Sequence, residues 1–250
     1  FLMDPDGSHQ VQLTHGTWRS VQPHVSPDGG SVLFTALWPE FPKVGLFKLD
    51  LGTLAVGILA HWPADDGAGE SDARWVGDGS SIVFSKNGGE GRDTVPTQVY
   101  EMDLGGGRRR RLTHDSFYNT DPAISADGSR LAVSSYRGPG TPHLDGAAGE
   151  FAVKLQDWFL VVIDPATRTE RVLTQGLACT KRVSPAPPCS PSEGPAWVPL
   201  WSPDAQTVGY LSVRSSTTMG IYAVAPDGGV ARTLLEVTDL ALTRWAWVDS

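Results

Sequence analysis

Cysteine, methionine and positive charge are all scarce in this sequence. Two cysteines in 250 residues exclude a disulfide mini-protein, whose small core needs several staples. Three methionines set against nine tryptophans point away from helix bundles. Twenty Lys and Arg against 28 Asp and Glu leave a formal charge of −8. That excludes a general nucleic-acid or anionic-membrane binder. The longest clean apolar run, Trp158–Ile163, is too short to cross a bilayer. No stretch sustains helical periodicity, and the opening residues read as strand and turn, not as a cleavable leader. Catalytic motifs are missing as well. Gly69-Glu70-Ser71-Asp72-Ala73 lacks the final glycine of a nucleophile elbow and precedes a strand. Gly105–Gly107 joins two strands, so it is not a phosphate loop leading into a helix. The two cysteines have nine residues between them and no histidine near them, which does not match zinc spacing. No catalytic residue, metal or cofactor is assigned.

Turns and aromatic-rich strands are what the chain does have. Hydrophobic residues make up 40% and charged residues 19%, with 28 Gly and 19 Pro; this is globular composition with an excess of turn formers. Internal repeats organise it. Pro23-His24-Val25-Ser26-Pro27-Asp28-Gly29 precedes Ser31-Val32-Leu33-Phe34. Ala73-Arg74-Trp75-Val76-Gly77-Asp78-Gly79 precedes Ser81-Ile82-Val83-Phe84. Pro122-Ala123-Ile124-Ser125-Ala126-Asp127-Gly128 precedes Arg130-Leu131-Ala132-Val133, and Pro199-Leu200-Trp201-Ser202-Pro203-Asp204-Ala205 precedes Thr207-Val208-Gly209-Tyr210. Each is a strand, an Asp-centred turn and a second strand; Gly after Asp supplies the positive φ of a hairpin turn. The aspartates are 50, 49 and 77 residues apart, so the third unit carries a 27-residue insertion relative to the first.

A second hairpin follows each of these. Leu46–Asp50 leads to Val56–Leu59, Val99–Asp103 to Arg111-Leu112-Thr113, Leu160–Asp164 to Val172-Leu173-Thr174, and Ile221–Val224 to Thr233–Leu235. The chain opens on the same pattern, Phe1–Gly7 then Val11–Thr14. Four strands per unit is a propeller blade. The recurrent Pro-x-(Trp/Val/Ile)-Ser-x-Asp-Gly hairpin, followed by a Tyr/Phe-x-(Met/Leu)-Asp hairpin and Leu-Thr, resembles the TolB-like, WD-repeat-like β-propeller family over nearly the whole chain. Gly77 and Ala205 depart from the pattern. The resemblance implies an all-β propeller of four-stranded antiparallel blades, with four complete blades and parts of two. The expected boundaries are a partial blade at 1–14, blades at 15–64, 65–114, 115–198 and 199–240, and the start of another at 241–250. A blade shared between the two ends would hold strands A, C and D but no B, so the chain is expected to be a piece of a longer protein.

With strands named A to D from the channel outward, the A–B and C–D turns are short and share one face. The B–C and D–A connections share the other and are long. They comprise Ala36–Gly45, Lys86–Thr97, and in blade three Tyr136–Glu150 and Gln175–Ala196. Long loops on a rigid scaffold carry binding. Candidate contact residues are therefore Trp38 and Phe41, Arg137, His143 and Asp145, and Lys181 and Arg182. Cys179 and Cys189 flank a proline-rich stretch of one insertion; a disulfide between them is expected, and with it an oxidising compartment. The Arg108–Arg111 run reads as a charged outer edge that discourages edge pairing. His15 and His114 follow Leu-Thr at equivalent places and read as structural. The turn aspartates read as Asx turns, not calcium ligands. Trp75, Trp201 and Trp247 share one strand A slot and read as packing between blades.

The resemblance further implies a non-catalytic scaffold that recognises a protein partner in a periplasmic or extracellular complex. No nucleic acid and no membrane insertion are expected. The alternative is the propeller domain of an enzyme: the front domain of a serine peptidase, or a lyase or hydrolase acting at the channel mouth.

Overall fold

The computed structural model describes residues 1–15, 19–37, 44–60, 69–87, 96–105, 107–138, 157–174, 196–213 and 218–237. Among them every regular element is a strand, sixteen in all, and they form four antiparallel four-stranded sheets. Blade one is β1 (Arg19–Val25), β2 (Ser31–Leu37), β3 (Val44–Asp50) and β4 (Val56–Ala60). Blade two is β5 (Glu70–Val76), β6 (Ser81–Lys86), β7 (Gln98–Asp103) and β8 (Arg109–Arg111). Blade three is β9 (Tyr118–Ile124), β10 (Leu131–Tyr136), β11 (Trp158–Ile163) and β12 (Glu170–Val172). Blade four is β13 (Ala196–Trp201), β14 (Val208–Val213), β15 (Met219–Val224) and β16 (Arg232–Val237). The strand order within each sheet is the chain order, as consecutive hairpins require. This is the β-propeller architecture expected from the repeats. Before blade one, the opening hairpin is reduced to a single bridge between Leu2 and Val11. Residues 241–250 lie outside the described residues.

The cores sit between blades. Leu33 and Leu46 of blade one pack with Ala73, Ile82, Phe84 and Met102 of blade two. Val83, Val99 and Leu112 of blade two pack with Leu131, Val133, Val161 and Ile163 of blade three. Ala132, Leu160 and Val162 of blade three pack with Trp201, Val208, Tyr210 and Tyr222 of blade four. A central strand therefore buries both faces, and β10 has no exposed position. That is why the middle strands are largely apolar, while the outer strands β8, β12 and β16 are mostly exposed. Successive blades are also pinned by hydrogen bonds. The Trp75 indole N–H donates to the His24 carbonyl at 3.0 Å, and the Trp201 indole to the Ala123 carbonyl at 3.0 Å. His24 and Ala123 hold the same position in their repeats, so the tryptophan slot of blades two and four is a latch to the strand A before it; blade three carries Ile124 in that slot.

One feature of every inner strand has no glycine to announce it. Gln22, Asp72, Asp121 and Val198 have φ of 57°, 57°, 49° and 49°. Each sits where the A–B ladder shifts register. These are β-bulges, which raise the local twist, and in three blades proline follows. Proline is tolerated there because the channel side of strand A is a sheet edge with no partner strand.

The repeated motifs have local explanations. In blades one, three and four, Ser26, Ser125 and Ser202 donate to the carboxylates of Asp28, Asp127 and Asp204 at 2.5, 2.6 and 2.6 Å. The same serine oxygens accept the N–H of Ser31, Arg130 and Thr207 at 2.9, 2.9 and 3.0 Å. Ala205 takes the turn glycine's place at φ 55°. In the Leu-Thr motif, Leu112 and Leu173 donate to the carbonyls of Val99 and Leu160 at 2.8 Å each. Thr113 and Thr174 accept the Val99 and Leu160 N–H at 2.9 Å each. Both pairs close strand D onto strand C with buried groups.

Candidate functional site

Antiparallel order places the A–B and C–D turns at one end of the blades and the B–C and D–A connections at the other. At the first end the turn aspartates are satisfied within their own turns. Each A–B aspartate accepts an N–H two residues on, at 2.9 to 3.0 Å. Asp50, Asp103 and Asp164 do the same in the C–D turns, at 3.0, 2.7 and 2.8 Å. Serine hydroxyls first (Ser26, Ser80, Ser125 and Ser202), and then these N–H bonds, hold the Asp28, Asp78, Asp127 and Asp204 carboxyls below their ordinary pKa, and Asp127, bonded by Ser125 and Ser129, falls to about 2. The Asx reading of these aspartates thus has its geometry. The arginine run is engaged within blade two: Arg110 pairs with Glu101 at 2.7 Å, and the Arg111 Nε–H donates to the Thr113 carbonyl at 2.5 Å.

The second end holds the long connections. Trp38, Phe41, His143, Asp145, Lys181 and Arg182 lie outside the described residues, as do Cys179 and Cys189. Among the candidates Arg137 is described. It follows β10, so the blade-three insertion begins after Tyr136; likewise β2 and β3 leave only 38–43 between them. The Arg137 guanidinium lies 4.6 Å from the Phe117 ring centre. Its Nε–H reaches Ser135 Oγ at 3.3 Å, and its Nη2 stands 2.7 Å from Glu170 Oε2. His114 is exposed, and partial burial with the nearby Arg168 and Arg111 charges lowers its pKa.

The described parts of this end form a stiff platform. The short connection from blade two to blade three is tied on both sides. Gln98 Nε2 donates to the Phe117 carbonyl at 2.7 Å and Gln98 Oε1 accepts from Thr113 Oγ1 at 2.7 Å. Asn119 Nδ2 and the Phe117 N–H both donate to Asp115 Oδ1, at 2.9 and 2.8 Å. Between blades one and two, the bulge residues meet directly: Gln22 Nε2 donates to Asp72 Oδ1, and the Asp72 N–H donates back to Gln22 Oε1 at 3.2 Å. Such bonds fix where the connections leave the blades.

Three residues at this end were not singled out as functional from the sequence: Tyr118, Tyr136 and Asp157. Tyr118, Tyr136 and Trp158 are cross-strand partners on β9, β10 and β11, and Asp157 stands at the foot of the insertion. They are separated by up to 40 positions in the chain, and only the pairing of three strands assembles them. The one available signal was an aromatic at the loop end of each strand.

No family model matches the chain. A stretch of 116 residues, 46% of the chain, is 32% identical to the Tol-Pal system protein TolB of Gluconobacter oxydans and spans 23% of that protein. TolB from Acinetobacter baumannii superposes with a TM-score of 0.57 at 26% identity, over 84% of this chain and 41% of that one. Oligogalacturonate lyase from Vibrio parahaemolyticus superposes with a TM-score of 0.58 at 16% identity, over 92% of this chain and 57% of that one; at that identity the likeness is of fold alone. The chain thus spans less than two thirds of the length of each of these relatives. Repeated hairpins, blade-to-blade cores and the superpositions agree: the chain is a β-propeller that is similar to TolB in sequence and in fold.

Proposed function

We propose that this propeller is a rigid, non-catalytic scaffold that recognises a protein partner through its B–C/D–A face, within an exported or periplasmic complex. The observation that carries the reading is the division of labour between the two ends. Turns at one end spend their polar groups on themselves. The long connections all leave from the other end, beside a platform tied by buried and part-buried hydrogen bonds. A loop that leaves from fixed strands loses less entropy on binding than a free one. Similarity to TolB, named for the Tol-Pal system, supports a protein as the partner. The net charge of −8 favours a basic or neutral one. Among the described residues no helix is long and apolar enough to cross a membrane.

The test shortens both blade-three insertions to tight turns. Chemical cross-linking followed by mass spectrometry identifies the partner of the parent chain in a native extract, and purified partner is then titrated. The shortened variant should lose that binding while keeping its thermal midpoint. Replacing Arg108–Arg111 with serine should leave the binding intact. Normal binding by the shortened variant, with loss in the arginine variant, would move the site to the outer edge of blade two.

A further inference from the structure

Blade three's loop end carries a row of three aromatic side chains. Ring centres of Tyr118 and Tyr136 are 6.3 Å apart, and those of Tyr136 and Trp158 are 5.7 Å apart. Tyr136 and Trp158 are buried, and Tyr118 is half-buried at the margin. β10 ends and β11 begins at this row, on either side of the first insertion, and the second insertion leaves just beyond β12.

Asp157 stands beside the row, half-buried. Its backbone carbonyl accepts the Arg137 N–H at 2.9 Å. Its side chain bends over Gly138: a Cβ there would collide with Asp157 Oδ2 and come within 2.7 Å of the Tyr136 hydroxyl oxygen. Carboxylate and phenol therefore crowd one point, and only glycine leaves room for them. Among the described residues no hydrogen bond or ion pair reaches the Asp157 carboxylate. The adjacent cation, Arg137, is directed to Phe117, Ser135 and Glu170 instead. Burial raises the Asp157 pKa, and the Asp157 charge adds to the burial that raises Tyr136.

A carboxylate partly withdrawn from water and left without a partner is destabilised, and a cation brought to it relieves that cost. Aromatic surface attracts the same kind of group, and of the three rings half-buried Tyr118 keeps surface open to it, with Tyr136 and Trp158 buried behind. A single carboxylate is too few oxygens for a calcium or magnesium ion. A lysine or arginine side chain, with a charged head and an apolar stem, fits both halves of the site. We propose that Asp157, framed by Tyr118, Tyr136 and Trp158, is the receptor for a cationic side chain of the protein partner. This rests on reading the loop face as the partner-binding face, and it specifies the partner's chemistry there.

The probe is N-acetyl-arginine methylamide, titrated against isotope-labelled protein and followed at the Trp158 indole N–H by NMR. The neutral comparison is the citrulline analogue, which has nearly the same shape. Saturable shifts are expected with the arginine probe, with the citrulline probe about tenfold weaker or more. Asp157→Asn should weaken the arginine probe by a similar factor while leaving the remaining amide spectrum in place. Asp204→Asn, at the opposite end of blade four, removes the same charge and should change nothing. Equal binding of the two probes, unchanged binding in Asp157→Asn, equal weakening in Asp204→Asn, or no saturable shift at Trp158 would each overturn the assignment. Partner binding lost on loop shortening but kept in Asp157→Asn would leave the face standing and remove the cation receptor alone.

Discussion

Replacing Trp201 with phenylalanine isolates the latch between blades three and four. Phenylalanine keeps an aromatic ring in the slot but has no indole N–H. The Ala123 carbonyl, which accepts that N–H at 3.0 Å, then loses its side-chain partner inside a buried interface. A buried acceptor left unpaired costs about 1–3 kcal/mol. The smaller ring also leaves unfilled space among Ala123, Ala132, Tyr210 and Tyr222, adding about 1 kcal/mol of lost apolar burial. The expected destabilisation is therefore about 2–4 kcal/mol. Trp75→Phe breaks the equivalent bond to His24, but Trp75 is half-buried where Trp201 is 8% exposed. Water can reach that site, so the cost should be about half as large. Equilibrium urea unfolding followed by far-UV circular dichroism measures both, without relying on tryptophan emission that the substitutions alter. A cost below about 0.5 kcal/mol for Trp201→Phe, or a larger cost at Trp75 than at Trp201, would refute the latch.

Other expectations concern turns and loops. Asp127 titrates near 2 in the folded chain against an ordinary 3.8, so its contribution is present above about pH 4 and disappears as pH falls toward 2; urea midpoints over that range should fall less steeply in Asp127→Asn than in the parent. Gly220→Ala would put a methyl group 2.7 Å from the Leu235 carbonyl oxygen, and should cost about 1–3 kcal/mol by prying β16 from β15; an unchanged midpoint would show that the pair yields freely. Cys179 and Cys189 should show no alkylation before reduction in intact-mass measurements. Changing both to serine should cost at most about 3 kcal/mol and leave the blades folded.

Much of this protein was legible in its sequence because a hairpin is a local object. A strand, an Asp-Gly turn and a second strand specify their own pairing within a dozen residues. Repetition near every 50 residues then names the propeller without reference to any distant contact. Even the tryptophan slot was visible, since Trp75 and Trp201 stand at one offset from their turn aspartates. What the slot does was not visible: its acceptor lies 51 or 78 residues upstream, in another blade. The bulges at Gln22, Asp72, Asp121 and Val198 were hidden for a different reason. Their left-handed backbone is imposed by the twist of the inner strand, and none of the four residues is a type that favours it through lack of a side chain. The Asp157 site was hidden because no short motif contains it. Three strands must pair before Tyr118, Tyr136 and Trp158 form a row, and the fold alone withdraws Asp157 from water beside them. Local sequence thus determined the blades and their turns. Tertiary structure decided which groups meet between strands and blades, because those meetings depend on register, twist and packing over long chain separations.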